Sequence, residues 1–168
     1  MSRMRCVQLM ILLALSCTFC ISTSCQEQRQ IQQRHPTRYL IPDGYVGWVQ
    51  INFKVDGAPP LPIEDAYYVV KFPSSGLIQT SSNIEYGVAV DEFFYYSDNT
   101  RRQIKESGWG EGGMIWGAYN GKKTDGTGRL IKSYEGFFVG TEEEFNRYGG
   151  IKDSSGDPKI GPINTVSQ

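Results

Sequence analysis

The run "YVGWVQINFKV" at 45–55 sets Tyr45, Val49, Ile51, Phe53 and Val55 to one side and Gln50, Asn52 and Lys54 to the other. A period of two marks a half-buried strand, and no helix keeps such a pattern on one face. Similar short runs recur along the chain, cut apart by glycine and proline. "AYYVVKF" (66–72) is β-branched and aromatic and predicts a second strand, and "LIQTS" (77–81), reached through the turn "PSSG", a third. "GAPPLP" (57–62) offers too few backbone donors for a ladder and reads as an extended loop. "EYGVAVDEFFYYS" (85–97) predicts one bent strand or two short ones, with Gly87 marking a bulge.

Further on, "DNTRRQIKESG" (98–108) is polar and reads as a loop or a single helical turn. Strands near 114–119 and 129–134 flank "NGKKTDGTG", a hairpin with a long glycine-rich loop, and "EGFFVG" (135–140) predicts a last core strand. In "TEEEFNRYG" (141–149), Thr141 caps a helix, Glu144 completes a capping box and Gly149 ends it. No β-α-β rhythm is present, which argues against a doubly wound sheet. The expected fold is mainly β: an antiparallel β-sandwich or open barrel with one short C-terminal helix.

All four cysteines, Cys6, Cys17, Cys20 and Cys25, lie in the first 25 residues. The region after Cys25 therefore holds no internal disulfide. Arg3 and Arg5 precede the uncharged, mostly apolar stretch 7–22, which small polar residues follow. That order predicts a signal peptide over 1–24, with a core too short and too weakly apolar for a membrane-spanning helix. "ISTSC" (21–25) resembles the box that ends bacterial lipoprotein signals, and "LALSC" (13–17) is an alternative. Cleavage before Cys25 removes every thiol except the one acylated, so Cys25 is the expected lipid attachment residue and Cys17 the alternative. Gln26 in place of an aspartate suggests the outer membrane in a Gram-negative cell. "QEQRQIQQRHPTR" (26–38) is glutamine-rich without apolar periodicity and reads as a tether, reaching about 45 Å if fully extended. The expected organisation is a signal peptide over 1–24, a tether over 25–38, a sandwich domain over 39–149 and a flexible tail over 150–168.

The phrases "IPDGYVGWVQINF" (41–53), "YYVVKFPSSGLIQTSS" (67–82) and "FFVGTEEEF" (137–145) together resemble a bacterial domain-of-unknown-function family found in exported and lipidated proteins. The resemblance spans about 39–149 and implies location rather than chemistry. The front half is also similar, more weakly, to transthyretin-like and carboxypeptidase-regulatory sandwiches.

The only histidine, His35, falls in the expected tether, which excludes a Ser–His–Asp triad and a histidine zinc site within the domain. "GWGEGG" (108–113) matches G-x-G-x-x-G without the strand before it and the helix after it that dinucleotide binding requires, so it reads as a turn and no cofactor is expected. From Cys25 onward 15 bases face 18 acids, a net of −3, which gives no nucleic-acid footprint. Paired carboxylates are the catalytic option left: Glu64/Asp65, Asp91/Glu92 and Glu85. Core packing accounts for Phe94, Tyr96 and Trp116, whereas Trp109, between Gly108 and Gly110, is the candidate ligand contact. The expected role is a non-catalytic binding or envelope-interaction module, held to the membrane by its lipid and meeting a glycan or envelope protein. The alternatives are a carboxylate-only hydrolase and a structural subunit of an envelope assembly.

Overall fold

Two mixed sheets stack face to face in the computed structural model, which describes residues 32–163 apart from Asn99, Ser107 and Trp109. The strands are β1 (Thr37–Pro42), β2 (Gly47–Phe53), β3 (Ile63–Glu64), β4 (Tyr67–Lys71), β5 (Leu77–Gln79), β6 (Glu92–Ser97), β7 (Thr100–Gln103), β8 (Ile115–Thr124), β9 (Leu130–Val139) and β10 (Gly161–Pro162). One helix, α1 (Glu142–Tyr148), follows β9. The first sheet has the order β3-β4-β1-β6-β7 and the second β10-β2-β9-β8, with β5 also on β2. The chain is mainly β with no closed barrel, as its alternation requires.

The inward residues are those the period-two pattern selects. Val49, Ile51 and Phe53 of β2 join Tyr39, Ile41, Val70, Phe72, Phe93, Tyr95, Ile115, Phe137 and Val139 in one core. Phe137 lies edge-on to Tyr39, Phe72 and Phe93, with ring centres 5.1, 6.0 and 5.4 Å away. The far face of the second sheet carries a smaller cluster, Trp48, Trp116 and Phe138, covered by Phe145 and Tyr148 of α1 and by Ile160 and Ile163.

Several expectations need correction. The sandwich is not wholly antiparallel: β1 runs parallel to both β4 and β6. The chain leaves β1 for β2 in the opposite sheet and returns, which supplies the crossover a parallel pair needs. A strand, β7, stands where a loop or helical turn was expected; its four residues are exposed and bury nothing, so hydrophobic periodicity gave no signal. Of 85–97 only 92–97 is strand, and its inward rings are Phe93 and Tyr95, with Phe94 and Tyr96 on the outer face. Alternation divides rings between two faces without naming the face that is buried. The 120–128 loop shrinks to 125–129, where the Asp125 carboxylate accepts from the amides of Thr127 and Arg129.

The two ends of the domain extend further than 39–149. Thr37 and Arg38 are in β1, and Gln33 bridges Val88. After the helix, β10 pairs antiparallel with Gly47 and Trp48, so the tail is attached through residue 163. No helix among the described residues is long and apolar enough to cross a membrane. The expected signal segment, Cys17 and Cys25 lie outside the described residues.

Candidate functional site

Residues 34–37 enter the domain through a set of carboxylates. Arg34 grips Asp91 with both guanidinium nitrogens, Nη1 at 3.0 Å, and the Thr37 amide donates to the same carboxylate at 2.8 Å. One residue along, the His35 amide and Nδ1 sit 3.1 and 3.0 Å from Glu85 Oε2, and the Tyr68 hydroxyl donates to Oε1 at 3.0 Å. These donors, the His35 amide first, hold the Glu85 carboxyl below its usual range. His35 is therefore a part of the folded domain and not of a tether.

Behind this clamp lies Glu135 of β9, at the inward position two before Phe137. The Tyr39 hydroxyl donates to it at 3.2 Å. Burial pushes the Glu135 carboxyl up, while Tyr39 and the Arg34 charge act the other way. Burial also drives the Tyr39 hydroxyl well above its ordinary value. Glu135 borders two hollows. One, of about 20 Å³, is closed by Arg34, His35, Thr37, Tyr68 and Glu85 and has room for a single water. The other, of about 230 Å³, opens past Tyr39, Phe93 and Tyr119. Sequence reasoning missed Glu135; the signal was its parity with Phe137 and Val139 in a strand otherwise recognised.

The carboxylates singled out in the sequence are each engaged by a partner side chain. Glu64 bonds Arg101, Asp65 and Glu92 both meet Arg38, Asp91 meets Arg34 and Glu85 meets His35. A retaining glycosidase sets a free carboxylate about 5–5.5 Å from a protonated one. Among the described residues Glu135 is the carboxyl pushed toward the protonated form, and its neighbour Asp91 is occupied by Arg34 and Thr37. No group of three or more ligating side chains among the described residues is arranged for a metal.

The outer face of the first sheet is hollow. Leu40 and Val69 form a buried floor; Pro62 and Tyr96 stand beside it; Lys71, Glu64 and Arg101 make the rim of a space of about 410 Å³. Glu64 and Arg101 belong to β3 and β7, the two opposite edges of the sheet. Four strand spacings would separate those edges by about 19 Å on a flat sheet. A 3.4 Å ion pair between Arg101 and Glu64 nonetheless joins the two edges across the hollow. Lys71 Nζ lies 4.6 Å over the Tyr96 ring.

Trp109 lies outside the described residues, but hydrogen bonds tie the described residues on either side of it. The Met114 amide donates to the Lys105 carbonyl at 3.0 Å, Lys105 Nζ to the Glu111 carbonyl, and the Gly110 amide to Glu142 of α1 at 2.7 Å. Residues 110–112 thus form a turn leading into β8 and not a strand-to-helix junction. Trp116 is buried as expected: it stacks on Phe145, and its indole N–H donates to the Gly140 carbonyl at 2.8 Å.

The model of a family of unknown function, DUF6843, matches residues 33–146. The chain belongs to the DUF6843 family. The match begins at Gln33, one residue before the clamp, and so covers both Arg34 and His35. Among solved structures, a DUF6843 member of this kind is similar to the 2.75 Å crystal structure of "Putative Lipoprotein from Bacillus anthracis". The two share 26% identity with a TM-score of 0.56, over 67% of this chain and 77% of that one. No curated protein matches the DUF6843 chain.

Proposed function

We propose that this protein is an exported, lipid-anchored, non-catalytic binding module of the cell envelope, whose ligand lies in the hollow on the outer face of the first sheet. The observation that carries the reading is the apolar floor of Leu40 and Val69, with the two edges of the sheet joined above it by Glu64 and Arg101. An exposed ion pair of this kind contributes little to stability, on the order of 0–1 kcal/mol. A ligand that replaced it would meet Lys71 and Arg101 on the rim and the Leu40–Val69 floor below. That combination suits a glycan or an extended segment of an envelope protein. Trp109 is a second proposed contact, on a loop braced by Lys105 and Glu142. The anchored half of the reading draws on Cys25 and on the name of the Bacillus anthracis protein, which supports the envelope as the location and offers nothing for the outer membrane.

Retention on purified peptidoglycan tests the reading with four proteins: the parent, Lys71→Ala, Arg101→Ala and Trp109→Ala. Retention that falls at least about tenfold in Lys71→Ala and Arg101→Ala, a loss of roughly 1.4 kcal/mol, supports the hollow. Parent-like retention by all three variants rejects both the hollow and Trp109 as contacts. A carboxylate hydrolase is the second reading, favoured by the raised Glu135 carboxyl beside an open cleft. Release of reducing ends by the parent but not by Glu135→Gln would establish it.

A further inference from the structure

Strand directions place the entering chain, several loops and one hairpin tip at the same end of the sandwich. β1 starts at Thr37, and β4 and β6 run parallel to it, so their first residues share that end. β2 finishes there, since Phe53 lines the same small cavity as His35 and Thr37. β9 is antiparallel to β2, with Ser133 opposite Phe53, so the β8–β9 tip projects from this end as well.

Two features of this end are unlike the rest of the surface. The first is apolar. Of the seven exposed large hydrophobic residues among those described, Ile63, Tyr86, Val88, Val90 and Ile131 are here, with Val90 81% and Ile63 62% exposed. Tyr86, Val88 and Val90 alternate, and they alternate the wrong way for a soluble loop. The polar members, Glu85 and Asp91, turn in to His35 and Arg34, and the apolar members turn out. The second is basic. Lys54, Lys122, Lys123 and Lys132 have no carboxylate partner among the described residues, and Arg129 meets only Asp125 of its own loop at 4.0 Å. Lys123 stands directly opposite Lys132, a pairing of like charges that opposes strand association. Lys122 Nζ lies 5.2 Å from the centre of the Tyr86 ring, which joins the two features into one surface. Further acids at this end are Asp56 on the loop after β2, Asp65 on the β3–β4 turn, which meets Arg38, and Asp125 on the hairpin loop, which meets Arg129.

We infer that this end of the domain docks on an anionic lipid bilayer, with Tyr86, Val88, Val90 and Ile131 in the headgroup layer and the hairpin lysines on lipid phosphates. The inference rests on the reading of Cys25 as the anchor. Cys25 precedes Gln32 by seven residues, a span of at most about 25 Å. An acyl chain at Cys25 therefore keeps this end, rather than the far end at Ser97 and Asp43, beside the bilayer. Outward valines and an aromatic ring favour the interface, and each lysine near an anionic surface strengthens binding roughly fivefold. Docking this end turns the hollow on the first sheet sideways and leaves it open to the envelope.

The full chain, purified from membranes and reconstituted, tests this with an environment-sensitive fluorophore on Val88→Cys or, at the far end, on Ser97→Cys. Vesicles of equal parts phosphatidylglycerol and phosphatidylcholine are compared with phosphatidylcholine alone. The expected result is quenching by lipid-borne spin labels at position 88 but not at 97, and only with phosphatidylglycerol present. Replacing Lys122, Lys123 and Lys132 together by Gln should lower the docked-to-free ratio on the order of 100-fold. Equal quenching at both positions, or none at 88, overturns the inference. The mass of the N-terminal peptide from the same preparation reports acylation separately. An unacylated chain still quenched at 88 removes the anchor and keeps the docking face, and an unacylated chain not quenched there removes both.

Discussion

Glu135 shows how one side chain sets conflicting demands. It lies on the inward row of β9 beside Phe137, and its one hydroxyl donor is Tyr39. Folding disfavours its ionised form. At low pH the carboxyl is neutral in the folded and unfolded chain alike, and it has no effect. As pH rises through the ordinary glutamate range, about 4.3, the unfolded chain loses the proton while the folded one holds it. Stability therefore falls until the folded pKa is passed. Glu135→Gln should melt close to the parent at about pH 4 and above it at about pH 7. A variant that melts below the parent at neutral pH would show that the charge is needed. Two tryptophans make the complementary case. Trp116 is 3% exposed and fixed to Gly140 and Phe145, so Trp116→Ala should cost about 3–5 kcal/mol by urea unfolding. Trp109→Ala should cost under about 1 kcal/mol, as for other surface changes. The burial of Trp116 was legible from its strand. Glu135 was legible in principle, because the parity that buries Phe137 also buries it, but a single carboxylate in an apolar run draws attention only once its row is known to face inward.

At the scale of elements, α1 follows its sequence closely. The Glu144 amide donates to the Thr141 hydroxyl and the Thr141 amide to the Glu144 carboxylate at 2.7 Å, while Glu142, Glu143 and Glu144 occupy the first turn. Seven residues are too few for an isolated helix, so it depends on its cap and on Phe145 against Trp48 and Trp116. Thr141→Ala should lower stability by about 1 kcal/mol. β8 bends at Gly117, where its register with β9 shifts. Gly117 has φ +57°, and a Cβ there would come within 3.0–3.1 Å of the Trp48 and Phe145 rings. Gly117→Ala should therefore cost more than the roughly 1 kcal/mol of left-handed backbone alone; a neutral outcome would show that α1 can shift to accept it. Local signals of this sort, a cap or a glycine in a strand, were readable. The parallel pairing of β1 was not, because it depends on which sheet the chain visits between β1 and β4. Nor was β7, a strand held by its neighbour's hydrogen bonds and by Arg102 over the Tyr95 ring.

For the whole molecule, the domain boundary is the most consequential revision. Arg34, His35 and Thr37 tie the entering chain to Asp91 and Glu85, and β10 with Ile160 and Ile163 covers Trp48. A fragment of residues 39–149 should melt several degrees below one of 32–163, at roughly 3–6 °C per kcal/mol lost for fragments of this size. Equal melting would mean that the clamp and β10 are ornaments on a complete domain. The clamp also gives the account its direction, since it fixes where the chain from Cys25 meets the sandwich. Lipid attachment at Cys25 is thus the claim on which the location of the domain at the membrane most depends. Metabolic labelling with a tagged fatty acid measures it directly in the parent, Cys17→Ala and Cys25→Ala chains. Label in the parent and in Cys17→Ala, with none in Cys25→Ala, is the predicted result; equal label in Cys25→Ala and the parent would contradict it.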